Sequence, residues 1–510
     1  MRGEPAHHFS ALRLCGSFSE TSPAWPGVLR KSNVAVTNSN SGYGINRLRS
    51  IATGSPRFSS LRVRELQIPN QLNTHMKMKP RHPFSSLFAA VCVFVSLIPA
   101  LPASAESLER VGTVFYINME NHNWTQPNKN VDTSPASGIE QIKGNPAAPF
   151  INSLIDPNGP YSADVSYTNN CYNVLATPSG INPSIHPSEP NYIWQAGGSN
   201  FGVTNDADPY MDTFDPFGNV FSQPSISGLL QNAGISWKSY QEDIDLASAA
   251  GSVNHPAANS LTSTVAPSDQ WTVPLSSFSG TSALYTNPFN GSHQYNFAPK
   301  HAGELFFTTT NGGTPTVGDY STSNPEVPHY LPLQALARDL EDNKVGKFNI
   351  ITPDQFNDMH TQLSGGFTYN GIHYTGDAAN IAQGDSFLRT VVPMIMASKA
   401  YKNNGMIVIW NDETERQSIT DLTPNDYSHS CMEIIISPLA KGYGYHNDAI
   451  TYTHSSDVET LQQVFPIGPK QGHPFLGQTT QDTAGNRDYS DMFQEEGHDR
   501  SDHEHTASMQ

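Results

Sequence analysis

Four short stretches of this chain hold residues that could do chemistry together. Glu120-Asn121-His122 follows the β-rich run Thr113–Met119. Asp354, Asn357, Asp358 and His360 follow Lys347–Thr352, and Asn411-Asp412-Glu413 adjoins Met406–Trp410. In parallel sheets, ligands bind beyond the carboxyl ends of the strands. Polar clusters placed there can converge, and carboxylate and amide oxygens favour a hard divalent cation. Calcium, magnesium or manganese suits such a set, with zinc as the alternative. The fourth stretch is His186-Pro187-Ser188-Glu189-Pro190-Asn191-Tyr192, followed by a run that starts as a helix and stops at Gly197-Gly198. A hydroxyl at a helix N-terminus beside a cation has what a phosphoryl-transfer nucleophile requires. Free N–H groups and the helix dipole receive phosphate oxygens, and the cation lowers the hydroxyl pKa. Each residue also has a plain alternative. Ser188 could only cap the helix, Glu120 could pair with a lysine, and Asp412 and Glu413 could form a solvated turn. His301 and His454 could be surface or capping histidines.

The elements that would carry these residues are legible in outline. Near-continuous apolar runs at 113–119, 347–352, 406–410 and 433–436 predict a sheet covered on both faces, mostly parallel, with helices packed on it. Helices are predicted over 384–401, kinked by Pro393, over 456–465 behind a Ser or Asp cap, and over 226–233 leading into a strand at 235–240. The alternation predicts an α/β fold. Residues 245–330 are rich in Ser, Thr, Asn, Gly and Pro with scattered aromatics, and predict a loop-rich cap insertion over the site.

The ends of the chain differ from its middle. Residues 1–75 show no sustained helical or strand period and predict a non-structural upstream extension. Lys77, Lys79 and Arg81, the apolar stretch 87–98 and Ala103-Ser104-Ala105 have the order of a secretory signal peptide over 76–105, too short to span a bilayer. The expected location is secreted or periplasmic, with the catalytic domain over 106–478 and a polar, disordered tail over 479–510. Residues 1–105 carry 12 of the 28 Lys+Arg and 3 of the 46 Asp+Glu, which leaves 16 basic against 43 acidic residues beyond them. Such a surface repels nucleic acid and anionic membranes. Of the four cysteines, Cys171 and Cys431 lie in the expected domain, where a bridge or two separate thiols are both open.

Eight ordered pieces carry a family resemblance. They are ENH at 120–122, HPSEPNY at 186–192, KH at 300–301, ITPDQFNDMH at 351–360, GDSFL at 384–388, IVIWNDE at 407–413, IIISPLAKG at 434–442 and THSSDVETLQQVF at 453–465. Together they resemble the phosphoesterase family of secreted acid phosphatases and non-specific phospholipases C, built on the alkaline-phosphatase-like fold. The resemblance implies a divalent metal held by Glu120, Asn121, Ser188, Asp412 and Glu413. It implies that Ser188 becomes phosphorylated, that Asn191 holds a phosphate oxygen, and that His360 and His301 contact phosphate or assist the leaving group. Asp358, His454 and Asp385 would belong to the same wall. Asn411 is a departure, because it stands inside a Trp-Asp-Glu pattern and could shift the ligand register by one residue.

The function expected on this basis is a secreted metal-dependent phosphomonoesterase acting on a small phosphate ester. One alternative is a phospholipase C or other diesterase, for which Trp271, Phe278, Tyr285, Phe289 and Tyr295 could form an apolar rim, although they are equally plausible as core. The other is a non-catalytic binding protein on the same scaffold.

Overall fold

The computed structural model describes residues 107–126, 139–177, 180–183, 186–209, 219–246, 277–312, 324–415, 429–483, 485 and 487–495. The predicted upstream extension and signal peptide lie outside them. The centre is a seven-stranded sheet built from β1 (Thr113–Met119), β2 (Val165–Thr168), β3 (Trp237–Gln241), β4 (Tyr330–Pro332), β5 (Phe348–Thr352), β6 (Gly405–Asn411) and β7 (Glu433–Ile436). Their spatial order is β2-β7-β6-β1-β5-β3-β4. β1 pairs in parallel with β5 and β6, and β5–β3 and β3–β4 are also parallel. The far edge reverses, since β7 runs antiparallel to both β6 and β2.

The apolar runs follow from this placement. Every residue of β1 is buried, because its side chains alternate between two cores. Phe115, Ile117 and Met119 join one core with helices α1 (Pro149–Ile155), α4 (Ala335–Glu341) and α5 (Asp377–Ala397). Val114 and Tyr116 join the other, against α2 (Glu189–Gly197), α3 (Ile226–Asn232) and α6 (His454–Val464). The architecture is therefore α/β with a mixed, mainly parallel sheet flanked by helices, as the sequence predicts. None of the described helices is long and apolar enough to cross a membrane.

Three boundaries differ from expectation. Helix α5 begins at Asp377, earlier than predicted, and runs through Pro393 to Ala397. Helix α6 begins at His454 because Thr453, not Ser456, is its cap, with Ser456 completing a capping box. The described residues between Thr479 and Glu495 are not a loose tail. Met492 and Phe493 are buried, Phe493 bridges to Ala440, and the Gln494 amide donates to the Leu439 carbonyl. The domain thus continues past 478, and 496–510 lie outside the described residues.

The expected cap is also more than a cover. Residues 247–276, with Trp271, and 313–323 lie outside the described residues. The rest supplies the hairpin Phe278–Thr281/Gln294–Phe297, the turn Pro299–His301 and the edge strand β4. At Gly303 an added Cβ would lie 2.4 Å from the Tyr192 carbonyl, so glycine lets this segment press against α2. That contact brings His301 beside Ser188's helix. Cys171 and Cys431 are both buried, free thiols.

Candidate active site

The carboxyl ends of β1, β5 and β6 meet at one buried hollow. Met119 and Asn411 are register partners, so Glu120 and Asp412 leave adjacent strands side by side. The Asp412 amide donates to the Met119 carbonyl at 3.2 Å, and the Glu120 amide donates to the Asp358 carbonyl at 2.8 Å. Asn411 is the last residue of β6 and is fully buried. Its side-chain amide donates to the Glu120 carbonyl. The extra residue is thus absorbed as a brace between two strand ends, and Asp412 and Glu413 keep the positions facing the hollow.

Ser188 immediately precedes α2 and is 4 % exposed. It makes no side-chain capping bond. Its Oγ instead donates to Glu120 Oε2 at 3.0 Å and lies 3.5 Å from Glu413 Oε1. Tyr192, one turn on, donates from its hydroxyl to Glu120 Oε1 at 2.8 Å. The helix therefore presents a hydroxyl to carboxylates from two strands, which the capping alternative does not explain. The other expected feature, free N–H groups at this helix start, is absent at its first two positions. The Glu189 amide donates to Asp206 Oδ1 at 3.2 Å, and Pro190 has no N–H. Burial pushes the Glu189 carboxyl up to about 9, so it is neutral at pH 7 and does not repel an anion.

The remaining expected residues divide into groups. Asn121 Nδ2 donates to Glu413 Oε1 at 3.4 Å, and Asn191 Nδ2 donates to Glu413 Oε2 at 3.0 Å. Asn191 thus orients a carboxylate here, where a phosphate contact was expected. His301 Nε2 is 3.1 Å from Glu120 Oε1 and its Nδ1 is 3.6 Å from Asp358 Oδ2. Its ring stacks on Tyr192 with centroids 4.8 Å apart. Burial, with Lys300 and His360 adding to it, holds His301 well below the usual histidine range. It is therefore a neutral ring that can accept or ligate. His360 is held down to about 4 by burial and by Lys300, and its Nδ1 lies 3.0 Å from Thr361 Oγ1.

His454 does not line the hollow as a catalytic group. It is fully buried, takes a hydrogen bond at Nδ1 from Trp410 Nε1 at 3.1 Å, and donates from Nε2 to the Asp412 carbonyl. Receiving at one nitrogen fixes the proton on the other, so His454 positions Asp412. Asp385 is not part of the wall either. Its two oxygens accept the Phe150 and Ile151 amides at 3.0 and 2.7 Å, which satisfies the start of α1.

Three neighbours were not singled out from the sequence. Lys300 is buried, pairs with Asp206 and has its charge directed at Glu120 and Glu413 as well. His186 Nδ1 lies 2.6 Å from Glu413 Oε1. Tyr192 holds Glu120. All three stand inside or next to HPSEPNY and KH, so the motifs pointed at them while their side-chain directions did not.

The donor set fits a divalent cation. Glu120, Asp358, Asp412 and Glu413 are all buried. Neither oxygen of Asp412 completes a hydrogen bond among the described residues. Burial, then the charges of Glu120 and Glu413, push the Asp412 carboxyl well above the carboxylate range. Burial pushes Glu120 up to about 7 although Lys300 opposes it. Ligand atoms of Glu120, His301 and Asp358 lie within 4.8 Å of one another, so His301 and Asp358 belong with the groups able to hold metal. Such carboxylates are stable as anions only beside added positive charge.

Comparison with known proteins adds an independent finding. The model of the Phosphoesterase family matches residues 116–468. A phosphatidylinositol-3-phosphatase of Mycobacterium tuberculosis is 23 % identical over 332 residues, which cover 65 % of this chain and 74 % of that protein. Solved structures that align with the chain include an alkaline phosphatase superfamily protein from Vibrio parahaemolyticus, at 10 % identity and a TM-score of 0.34 over 71 % of this chain and 74 % of that one. A lipoteichoic acid synthase from Listeria monocytogenes aligns at 10 % identity and a TM-score of 0.36 over 76 % and 80 %.

Proposed function

The chain belongs to the phosphoesterase family, and we propose that it is an exported, metal-dependent phosphomonoesterase of the acid-phosphatase type, working through a phosphoserine at Ser188. The observation that carries this reading is the Ser188 hydroxyl, which forgoes its capping bond and donates to Glu120 at 3.0 Å. Glu120, Asn121, Asp412 and Glu413 would hold the divalent ion, with His301 and Asp358 alongside. When bound, that ion supplies positive charge for the phosphate oxygens and lowers the Ser188 pKa.

The chain's own residues do the rest. Lys300 adds a fixed cation against the phosphate. Ser188 Oγ forms the new bond to phosphorus as the ester P–O bond breaks on the opposite side. Glu120 Oε2, already accepting from Oγ, is placed to receive the hydroxyl proton. The leaving alkoxide takes a proton from a histidine, for which His360 is the expected donor once the phosphate dianion offsets Lys300. Water then cleaves the phosphoserine by the same steps reversed. Asn121, Asn191 and His186 hold Glu413, and His454 holds Asp412, so the acceptors stay in place between turnovers.

Monoesters are favoured over lipid diesters by the cap. Tyr285 and Phe289 are buried, and Phe278 and Tyr295, half-buried, pack on Tyr285, which leaves little of these four aromatics for a rim. The phosphatase activity for which the Mycobacterium tuberculosis relative is named points the same way. Export rests on the signal-like order at 76–105. The test compares hydrolysis of p-nitrophenyl phosphate with its phosphocholine diester. The expected result is turnover of the monoester at least about 100-fold faster, a transition-state difference near 3 kcal/mol. A preference for the diester would replace the reading with a phospholipase C.

A further inference from the structure

A second group of metal-ligating side chains stands one step outward on the same two loops. His122 follows Asn121, and Glu415 lies two residues after Glu413. Asp377, the first residue of α5, meets them from the other side. His122 Nε2 is 3.0 Å from Asp377 Oδ1 and 3.6 Å from Glu415 Oε2. One ligand atom from each of the three lies within 4.8 Å of the others.

The protein atoms alone leave this group incomplete. One imidazole N–H can serve one acceptor, and the 3.0 Å contact gives it to Asp377. Glu415 Oε2 is left buried with no N–H donor among the described residues, and only a proton shared with the Asp377 carboxylate can meet it. His122 itself is 1 % exposed. The other oxygen of Asp377 accepts the Glu140 amide at 2.6 Å, which fixes the carboxylate in its direction toward His122. The Glu415 side chain remains 25 % exposed, which leaves a way in from solvent. A dication in place of the imidazole proton would satisfy both carboxylates and the ring nitrogen together, where a proton satisfies one pair.

We propose that His122, Asp377 and Glu415 form a second divalent-cation site, distinct from the one beside Ser188, that takes a borderline transition ion such as manganese or zinc. One imidazole and two carboxylates suit that class better than calcium. Three protein donors leave coordination positions for water. By tying the loop after β1 to the loop after β6 and to α5, an ion here would stiffen the segments that carry Asn121 and Glu413.

The test is metal stoichiometry on the full chain. Wild type, the double variant Asp377→Asn/Glu415→Gln and, separately, Asp412→Asn are dialysed against Mn2+, and bound metal is counted by elemental analysis. Any ion held by the histidines at 498, 503 and 505 is common to all three and cancels. The double variant is expected to bind one equivalent less than wild type, and Asp412→Asn to lose a different equivalent. Far-ultraviolet circular dichroism confirms that each is folded; if the double variant is not, His122→Asn alone provides the same count. Equal binding by wild type and the folded variant would overturn the second site. Loss at Asp377/Glu415 without loss at Asp412 would instead keep this site and remove the metal reading of the Ser188 centre, so the two ideas fail separately.

Discussion

Two clusters of buried carboxylates occupy the same end of the sheet, and they are finished differently. At the end of β3, Glu242 is fully engaged. Its Oε1 accepts from Asn287 and Asn357, each at 2.8 Å, and its Oε2 accepts the Asp354 amide at 2.9 Å. Asp243 nearby accepts the Tyr285 hydroxyl at 2.7 Å. At the ends of β1 and β6, neither oxygen of Asp412 completes a hydrogen bond among the described residues, and Glu120 accepts from Ser188 and Tyr192 with His301 at its side. Both clusters suffer the desolvation that burial imposes, and amides clasp Glu242 in the first and Glu413 in the second, so the difference lies at Asp412. Protein donors meet both oxygens of Glu242 and leave one oxygen of Asp354 bare, whereas a carboxylate with both oxygens bare, as at Asp412, is shaped for something that arrives from outside.

The sharpest way to break this contrast is to remove the hydroxyl. Ser188→Ala should lower kcat for p-nitrophenyl phosphate by at least about 10^4-fold, as loss of a nucleophile does, with the melting temperature unchanged. Substantial turnover by that variant would mean that the hydroxyl is not the group the cluster serves.

The next pair of substitutions should give opposite signatures. Asp412→Asn should cut activity by about 10^2-fold or more, while metal-free stability holds, since burial beside Glu120 and Glu413 already favours the uncharged Asp412 carboxyl. Glu242→Gln should do the reverse. It turns a donor toward the Asp354 amide and should cost about 1–3 kcal/mol in urea unfolding, with a smaller effect on kcat. If both lose stability alike, the distinction between the clusters is wrong.

A smaller effect is expected at His454, which acts through Asp412. His454→Phe should weaken metal binding about 10- to 100-fold and leave the pH profile of kcat unchanged, because the ring is not the proton donor. A shifted pH profile would return His454 to the catalytic set.

The smallest effect is on pH-dependent stability. Burial raises Glu120 and Glu242 each to about 7, so the folded chain binds more protons than the unfolded chain between about pH 4.5 and 7. Stability of metal-free protein should therefore fall as pH rises through that window, lowering Tm by about 3 °C or more. Added Mn2+ should remove the part of the slope owed to the Ser188 centre, and Glu242→Gln its own share, while Glu304 and Glu459, also raised to about 7, keep the remainder. A slope unaffected by metal would contradict the cation assignment.

Much of this was legible in the residues. The strands announce themselves because a doubly covered sheet needs continuous apolar runs, and Glu120, Asp412 and Glu413 are readable because parallel strands release their ligands at carboxyl ends. Contacts made by side chains from distant segments were not. Nothing in the local sequence says that Asp385 satisfies the start of α1, that Asn191 turns to Glu413, or that Asp206 takes the Glu189 amide. The fate of Asn411 needed the register between β1 and β6. The residues after 478 read as a tail because their few apolar groups, Tyr489, Met492 and Phe493, lack a period, and only packing on Tyr452, on α6 and on β7's outgoing loop reveals them as core.

The central claim is that Ser188 carries the phosphoryl group, and acid-quenching the enzyme during turnover of p-nitrophenyl phosphate tests it most directly. Peptide mapping by mass spectrometry should find phosphate on the peptide containing Ser188 in the wild type and on no peptide of Ser188→Ala. Phosphate attached to another residue, or rapid turnover with an unmodified Ser188 at every quench time, would contradict the account.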